Sequence, residues 1–213
     1  MEILQQINQT LQEGDASETE SLVKQALEQG IKPEEILSDG LLAGMNELGV
    51  KFKNNEVFVP EVLVAARAMK KGVEVLKDKL GEGAEKQDAG VAIIGTVKGD
   101  MHDIGKNLVK IMLEGKGIKV YDLGVDVPVE KFVEEAQEKN ADILCISALL
   151  TTTMPEMEKI VAYAKEKGLR SKIMVGGAPV TQEFCDRIGA DCYTEDAASA
   201  ADAAVRLIQE IRG

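Results

Sequence analysis

From residue 91 onward one pattern recurs: a short continuous apolar run, then an amphipathic stretch of helical period. The runs fall at residues 91–97, 119–123, 143–149 and 173–175, with a weaker one at 191–193. Helical patterns occupy 104–114, 128–139, 154–167, 182–188 and 198–211. Strands apolar on both faces, alternating with helices, belong to a parallel sheet covered on both sides, a flavodoxin- or Rossmann-like α/β domain. Ligands of such sheets sit at the carboxyl ends of the strands, beside the topological switch point. The segments that follow each run are therefore where chemistry is expected.

Residues 1–80 read differently, with helical spacing throughout. Ile3, Leu4, Ile7 and Leu11 share one face of a first helix. Ser17 and Glu20 have capping-box spacing and open a second, which carries Leu22, Val23, Ala26 and Leu27. Pro33 suits the first turn of a third, lined by Leu37, Leu41, Met45, Leu48 and Phe52. Gly40, Gly44 and Gly49 weaken that helix, which implies a close neighbour. A fourth starts near Pro60, with a seam of Val62, Ala66, Met69, Val73, Leu76 and Leu80. The expected organisation is a four-helix bundle over 1–80, a Gly- and charge-rich linker over 81–90, and the α/β domain over 91–213.

Composition removes several function classes. A net charge of -12 repels phosphate backbones and anionic lipid, and aromatics at 3% without tryptophan leave few platforms for stacked bases. Neither nucleic acid nor a membrane is an expected partner. No apolar stretch nears the roughly 20 residues of a membrane span, and no signal peptide is evident, so a cytoplasmic location is expected. Cys145, Cys185 and Cys192 are odd in number and lack CxxC spacing, which argues against a disulfide framework or structural zinc. Cys145 lies within an apolar run, a poor place for a nucleophile.

After the first run comes Lys98-Gly99-Asp100-Met101-His102-Asp103-Ile104-Gly105-Lys106-Asn107. His102 is the one histidine of the chain. A lone histidine is more often a satisfied or surface residue than a ligand. Asp100, however, is near enough to orient the ring, as carboxylates do for metal-ligating histidines. One imidazole cannot make a zinc or non-haem iron site, which needs three or four protein ligands. A metal bound by His102 must arrive with most of its ligands in place, as in a macrocycle.

Asp100-x-His102-x-x-Gly105, followed by Ser147-Ala148-Leu149 and then Gly176-Gly177, resembles the signature of cobalamin-binding domains. Each element stands at an expected strand end. Met45-Asn46-Glu47-Leu48-Gly49 and Phe58-Val59-Pro60-Glu61-Val62-Leu63, running on to Met69, are similar to the helical cap of cobalamin-dependent methyltransferases. The resemblance covers essentially the whole chain. It is to the stand-alone corrinoid proteins of methyltransferase systems and the matching module of methionine synthase.

The resemblance implies a cobalamin bound base-off and His-on, with His102 as the cobalt ligand hydrogen-bonded to Asp100. Gly99, Met101, Asp103, Ile104 and Gly105 would line the lower corrin face. Ser147, with Leu149 nearby, would meet the nucleotide tail, and Gly176 and Gly177 would clear its channel. Thr151 would also touch the cofactor. The bland alternatives are a small residue closing a strand at Ser147 and an ordinary turn at the two glycines. Thr153 would continue the Asp100–His102 pair as a proton relay, or its hydroxyl caps a helix, given the spacing to Glu156. Phe58 would shield the upper corrin face, with Val62 and Ala66 read as bundle core. The implied function is a methyl carrier, not a complete enzyme, whose bundle swings aside on the linker. Its implied partners are a substrate-specific methyltransferase, a second methyltransferase delivering to tetrahydrofolate or a thiol, and a reductive activase. The alternatives are the subunit of an adenosylcobalamin-dependent mutase, a cobalamin sensor, and a flavodoxin-like flavin or phosphate binder. The methyl donor is left open among methanol, methylamines, betaines and aryl methyl ethers.

Overall fold

The computed structural model describes residues 2–76, 79 and 89–213. Leu80 and all of the expected linker except Ala89 and Gly90 lie outside the described residues. The chain divides into two compact units, one within residues 1–88 and one from Ala89 to Gly213 apart from the turn Gly115–Gly117.

The first unit is helical: α1 (Glu2–Gln12), α2 (Ala16–Glu28), α3 (Pro33–Glu35), a π-helical stretch (Ile36–Leu42), α4 (Ala43–Lys53) and α5 (Val59–Leu76). The π-helical stretch joins α3 to α4, so the expected third helix is one continuous run with a wider turn inside it. Gly40 and Gly44 do meet close neighbours. A Cβ on Gly40 would stand 3.1 Å from Ile7 Cγ2, and one on Gly44 would stand 3.1 Å from the Asn8 carbonyl of α1. The cap of α2 is Asp15, not Ser17. Gly14 turns the chain at φ +76, and the Asp15 carboxylate accepts the Ser17 and Glu18 N–H groups at 3.1 and 2.9 Å. The buried seam of α5 is Val62, Ala65, Ala68, Gly72 and Leu76, shifted from the expected line, with Ala66, Met69 and Val73 half-buried. Close approach explains the shift. A Cβ on Gly72 would lie 2.7 Å from Leu41 Cδ2, so where Leu41 meets the helix only glycine fits.

The second unit is an open parallel sheet of β1 (Val91–Thr96), β2 (Lys119–Asp122), β3 (Ile143–Ser147), β4 (Lys172–Gly176) and β5 (Cys192–Tyr193), in the order β2-β1-β3-β4-β5. Between and after the strands come α6 (Ile104–Gly115), α7 (Val129–Glu138), α8 (Met154–Glu166), α9 (Gln182–Ile188) and α10 (Ala197–Arg212). One face of the sheet packs Ile93, Leu144, Ile146, Ile173 and Val175 against Phe132, Val133, Met157, Ile160 and Val161 of α7 and α8. A Cβ on Gly95 would press to 2.8 Å from the Phe132 ring, so glycine there lets α7 settle on β1. Alternation sends Ile94, Cys145 and Met174, which are in register across β1, β3 and β4, to the other face. Buried alanines of α10 face inward: Ala197, Ala198, Ala200, Ala201, Ala203 and Ala204.

The strand order reverses between β1 and β3, and there the connections from the two strands diverge. Among the described residues no helix is long and apolar enough to cross a membrane.

Candidate functional site

The loop after β1 is built around Asp100. Buried Thr96, the last residue of β1, donates its hydroxyl to the His102 carbonyl at 2.9 Å. Gly99 turns the chain at φ +80 and brings Asp100 inward, where the residue is 1% exposed. Its carboxylate then serves two loops. Oδ1 stands 2.7 Å from His102 Nδ1 and accepts the His102 N–H at 3.1 Å. Oδ2 accepts the Leu149 N–H at 2.7 Å, the Leu150 N–H at 3.3 Å and the Thr153 hydroxyl at 2.9 Å. β3 ends at Ser147 because the Leu149 N–H leaves the ladder for this carboxylate.

Burial alone would raise the Asp100 pKa. The hydrogen bonds from Leu149, the His102 ring, the His102 N–H and Thr153 outweigh it and hold the carboxyl far below the usual carboxylate range. An ionised Asp100 has only acceptors, so the imidazole proton belongs on Nδ1 and the lone pair on Nε2. The His102 side chain is half-exposed, and its Nε2 has no hydrogen bond among the described residues.

Thr153 stands at the N-cap of α8, yet its side chain makes no cap bond. Its hydroxyl lies 2.9 Å from both Asp100 Oδ2 and the Leu150 carbonyl. The capping alternative for that hydroxyl is set aside: the ionised carboxylate is the stronger acceptor within reach.

Around the imidazole stands an exposed apolar collar of Met101 (68% exposed), Ile104 (78%), Leu149 (41%) and Leu150 (40%). A Cβ on Gly105 would meet nothing within 4 Å. The Asp103 carboxylate accepts the Asn107 side-chain N–H at 3.1 Å in the first turn of α6. Thr151 is exposed in the loop after β3. Lower on the sheet, Thr96, Ser147 and Gly176 lie in register across β1, β3 and β4. The Ser147 hydroxyl has no hydrogen-bond partner among the described residues, and a Cβ on Gly176 would enter open space. Gly177 has another reason to be glycine. Its φ is +133, and a Cβ would lie 1.8 Å from the Ala148 carbonyl oxygen. Residues 99–105 are thus brought together with Leu149 and Thr153 at the ends of β1 and β3, while Phe58, 62% exposed, belongs to the helical unit.

Sequence reasoning passed over Leu150, whose backbone N–H reaches Asp100, because a backbone donor leaves no trace in residue type. It also passed over Asp126, which accepts the Gly99 N–H at 2.7 Å, and buried Lys106, whose ammonium is 2.7 Å from Asp122 Oδ1. Burial opposes ionisation of Asp122, but the bonds from Lys106 and the Gly124 N–H, with the positive charges of Lys106 and Lys110, together outweigh it and keep that carboxyl below its ordinary value. The pair fastens the first turn of α6 to the end of β2. At Cys145 burial pushes the thiol up to about 12, in keeping with an inert core residue.

Among the described residues no group of three or more His, Cys, Asp and Glu could hold a metal ion. A single oriented imidazole beside exposed apolar side chains, with open space at Gly176, fits a metal that brings its own equatorial ligands. The donor set and the surrounding space both suit a corrinoid.

Known proteins give the same answer. Family models described as B12 binding domain match residues 90–205 and, separately, residues 3–77. The chain is 50% identical over 180 residues to dimethylamine corrinoid protein 1 of Methanosarcina acetivorans, covering 84% of each chain. It is 44% identical over 209 residues to dimethylamine corrinoid protein 1 of Methanosarcina mazei, covering 97% of this chain and 96% of that one. Among solved structures, the methanol:cobalamin methyltransferase complex MtaBC of Methanosarcina barkeri matches with a TM-score of 0.90 at 31% identity, over 98% of this chain and 80% of that chain. The chain belongs to the B12-binding corrinoid proteins of methyltransferase systems. Its cofactor is a cobalamin-type corrinoid.

Proposed function

We propose that this chain is the methyl carrier of a methylamine system and that dimethylamine is its donor substrate. The observation that carries the reading is the His102 imidazole, fixed at Nδ1 by Asp100 and bare at Nε2. The printed names of the two Methanosarcina relatives support the choice of donor.

In this reading His102 Nε2 would hold the cobalt of a cobalamin bound base-off and His-on. Bound cobalamin supplies the metal that accepts a methyl group from one catalyst and gives it to another. The protein's own work is positional. Asp100 keeps the proton on Nδ1, so Nε2 offers a lone pair. The Thr153 hydroxyl donates to Asp100 Oδ2 and so stands next to the Asp100–His102 pair, the place of its proposed role in a proton relay. Met101, Ile104, Leu149 and Leu150 exclude water from the lower face, with Gly99, Asp103, Gly105 and Thr151 completing the lining. Ser147 and Gly176 receive the nucleotide tail, and Gly177 shapes the turn beside it. Phe58 is assigned the shielding of the upper face. The division into a bundle over 1–80, a linker over 81–90 and a cofactor domain over 91–213 is part of the same proposal.

The partners in this reading are a dimethylamine-specific methyltransferase, a second methyltransferase delivering to a thiol or tetrahydrofolate, and a reductive activase. The test loads the full chain with hydroxocobalamin, removes free cofactor, reduces it to Co(II), and compares electron paramagnetic resonance of wild type and His102→Ala. Nitrogen splitting from the protein, lost in the variant, is the expected result. Wild type that retains no corrinoid sinks the proposal. Reduced holoprotein should then be methylated by the dimethylamine-specific enzyme faster than by enzymes specific for methanol or monomethylamine.

A further inference from the structure

The loop from β2 to α7 grips the histidine loop through one residue. Asp126 donates its N–H to the Asp100 carbonyl at 3.0 Å, and its carboxylate accepts the Gly99 N–H at 2.7 Å. Its neighbours extend the contact along the chain. The Val127 N–H bonds the Thr96 carbonyl at 3.0 Å, and the Thr96 N–H bonds the Gly124 carbonyl at 3.0 Å. Asp126 therefore holds the peptide groups on either side of the Gly99–Asp100 unit, the segment that sets where the Asp100 carboxylate points.

Asp126 does this from φ +53, a left-handed backbone that non-glycine residues seldom adopt and that Asp tolerates better than most. The residue is exposed, so no core packing explains the conformation. The left-handed turn is what lets its backbone N–H and its carboxylate reach the same loop together. Gly99, facing it, is left-handed as well, at φ +80. Strained backbone kept away from the core points to a task at the site it faces.

We infer that Asp126 is a positioning residue for the cobalt-ligating histidine: it orients Asp100, and through Asp100 it selects the His102 tautomer that leaves Nε2 bare. Asp126 is too far along the chain of contacts to act as a ligand itself, since its bonds run to the backbone of residues 99 and 100. The inference rests on His102 as the axial ligand, and its test separates the two claims.

His102 is the only histidine of the 213 residues, so selective nitrogen-15 histidine labelling gives one imidazole without assignment. Spectra of the full-length apo-protein in alkaline buffer report the tautomer with no corrinoid present. Wild type should show the proton on Nδ1. Asp126→Asn keeps an acceptor oxygen and tolerates the left-handed backbone, and should preserve that pattern. Asp126→Gly keeps the backbone freedom and removes the carboxylate; with Asp126→Ala, it should lose the single-tautomer pattern. In the cobalamin-loaded Co(II) protein the same two variants should lose or weaken the nitrogen splitting that Asp126→Asn retains. Circular dichroism melting identifies any variant that merely unfolds. Wild-type tautomer and splitting in both Asp126→Gly and Asp126→Ala overturn the inference, whatever happens to melting. A change in Asp126→Ala alone assigns the effect to the backbone and overturns the carboxylate's role. A tautomer change in the apo-variants, with no nitrogen splitting in loaded wild type, upholds Asp126 as the orienter and removes His102 as the ligand.

Discussion

Five donors converge on Asp100, from His102 ring and backbone, Leu149, Leu150 and Thr153. An amide cannot replace that carboxylate, because one of its ends would present N–H groups to other donors. Asp100→Asn should therefore lower stability by about 2 kcal/mol near neutral pH, read from urea unfolding, since bonds to a charged group are each worth about 1.5–3 kcal/mol. The pH dependence follows from the depressed carboxyl. Its contribution is complete above the unfolded value of about 3.9 and disappears as pH falls below it toward the folded value. The gap between wild type and Asp100→Asn should close on acidification; a gap unchanged at pH ~3 would contradict the assignment. In the sequence, Asp100 and His102 were legible as a pair because a carboxylate two residues from an imidazole has an obvious use. Asp126 was not, because an aspartate within Gly124-Val125-Asp126-Val127 looks like any loop aspartate until its backbone angle is known.

Glycines separate the elements by what they permit. Gly177 cannot carry a side chain, since its Cβ would fall on the Ala148 carbonyl at 1.8 Å. Gly177→Ala should cost about 3 kcal/mol or more, being both strained and sterically blocked. Gly105, the second residue of α6, has open space where its Cβ would go. Gly105→Ala should hold or raise the melting temperature, because alanine favours a helix by up to about 1 kcal/mol. It should nevertheless weaken corrinoid retention. A gel-filtration assay of bound cobalamin beside a thermal melt tests both halves; equal retention would remove Gly105 from the cofactor surface. Strands and helices of the sheet unit were legible almost residue for residue, since buried parallel strands and amphipathic helices have distinct periods. The π-helical stretch at Ile36–Leu42 was not, because it keeps helical spacing of apolar residues while changing the turn. The seam of α5 was misplaced for a related reason. At the point where Leu41 meets α5, size matters more than hydrophobicity, and the close approach turns Gly72 inward.

Each unit has its own buried core, with Ile7, Leu11, Val23, Leu41 and Leu48 in one and Ile93, Phe132, Leu144, Met157 and Ile160 in the other. A fragment of residues 89–213 should therefore unfold cooperatively in urea, with a midpoint near one of the full chain's transitions. Unfolding without a transition would show that the cores depend on each other. That residues 99–105, Leu149 and Thr153 come together was readable from the sequence, because they stand at two strand ends, where this topology puts ligands. The last strand has a consequence of a different kind. β5 is Cys192–Tyr193 alone, and it closes one side of the sheet. So short a border exposes too little unpaired backbone for a foreign strand to extend the sheet. For the proposed methyl carrier that bluntness matters: along this side of the sheet there is no ribbon of amides on which an encounter could zip into permanent attachment.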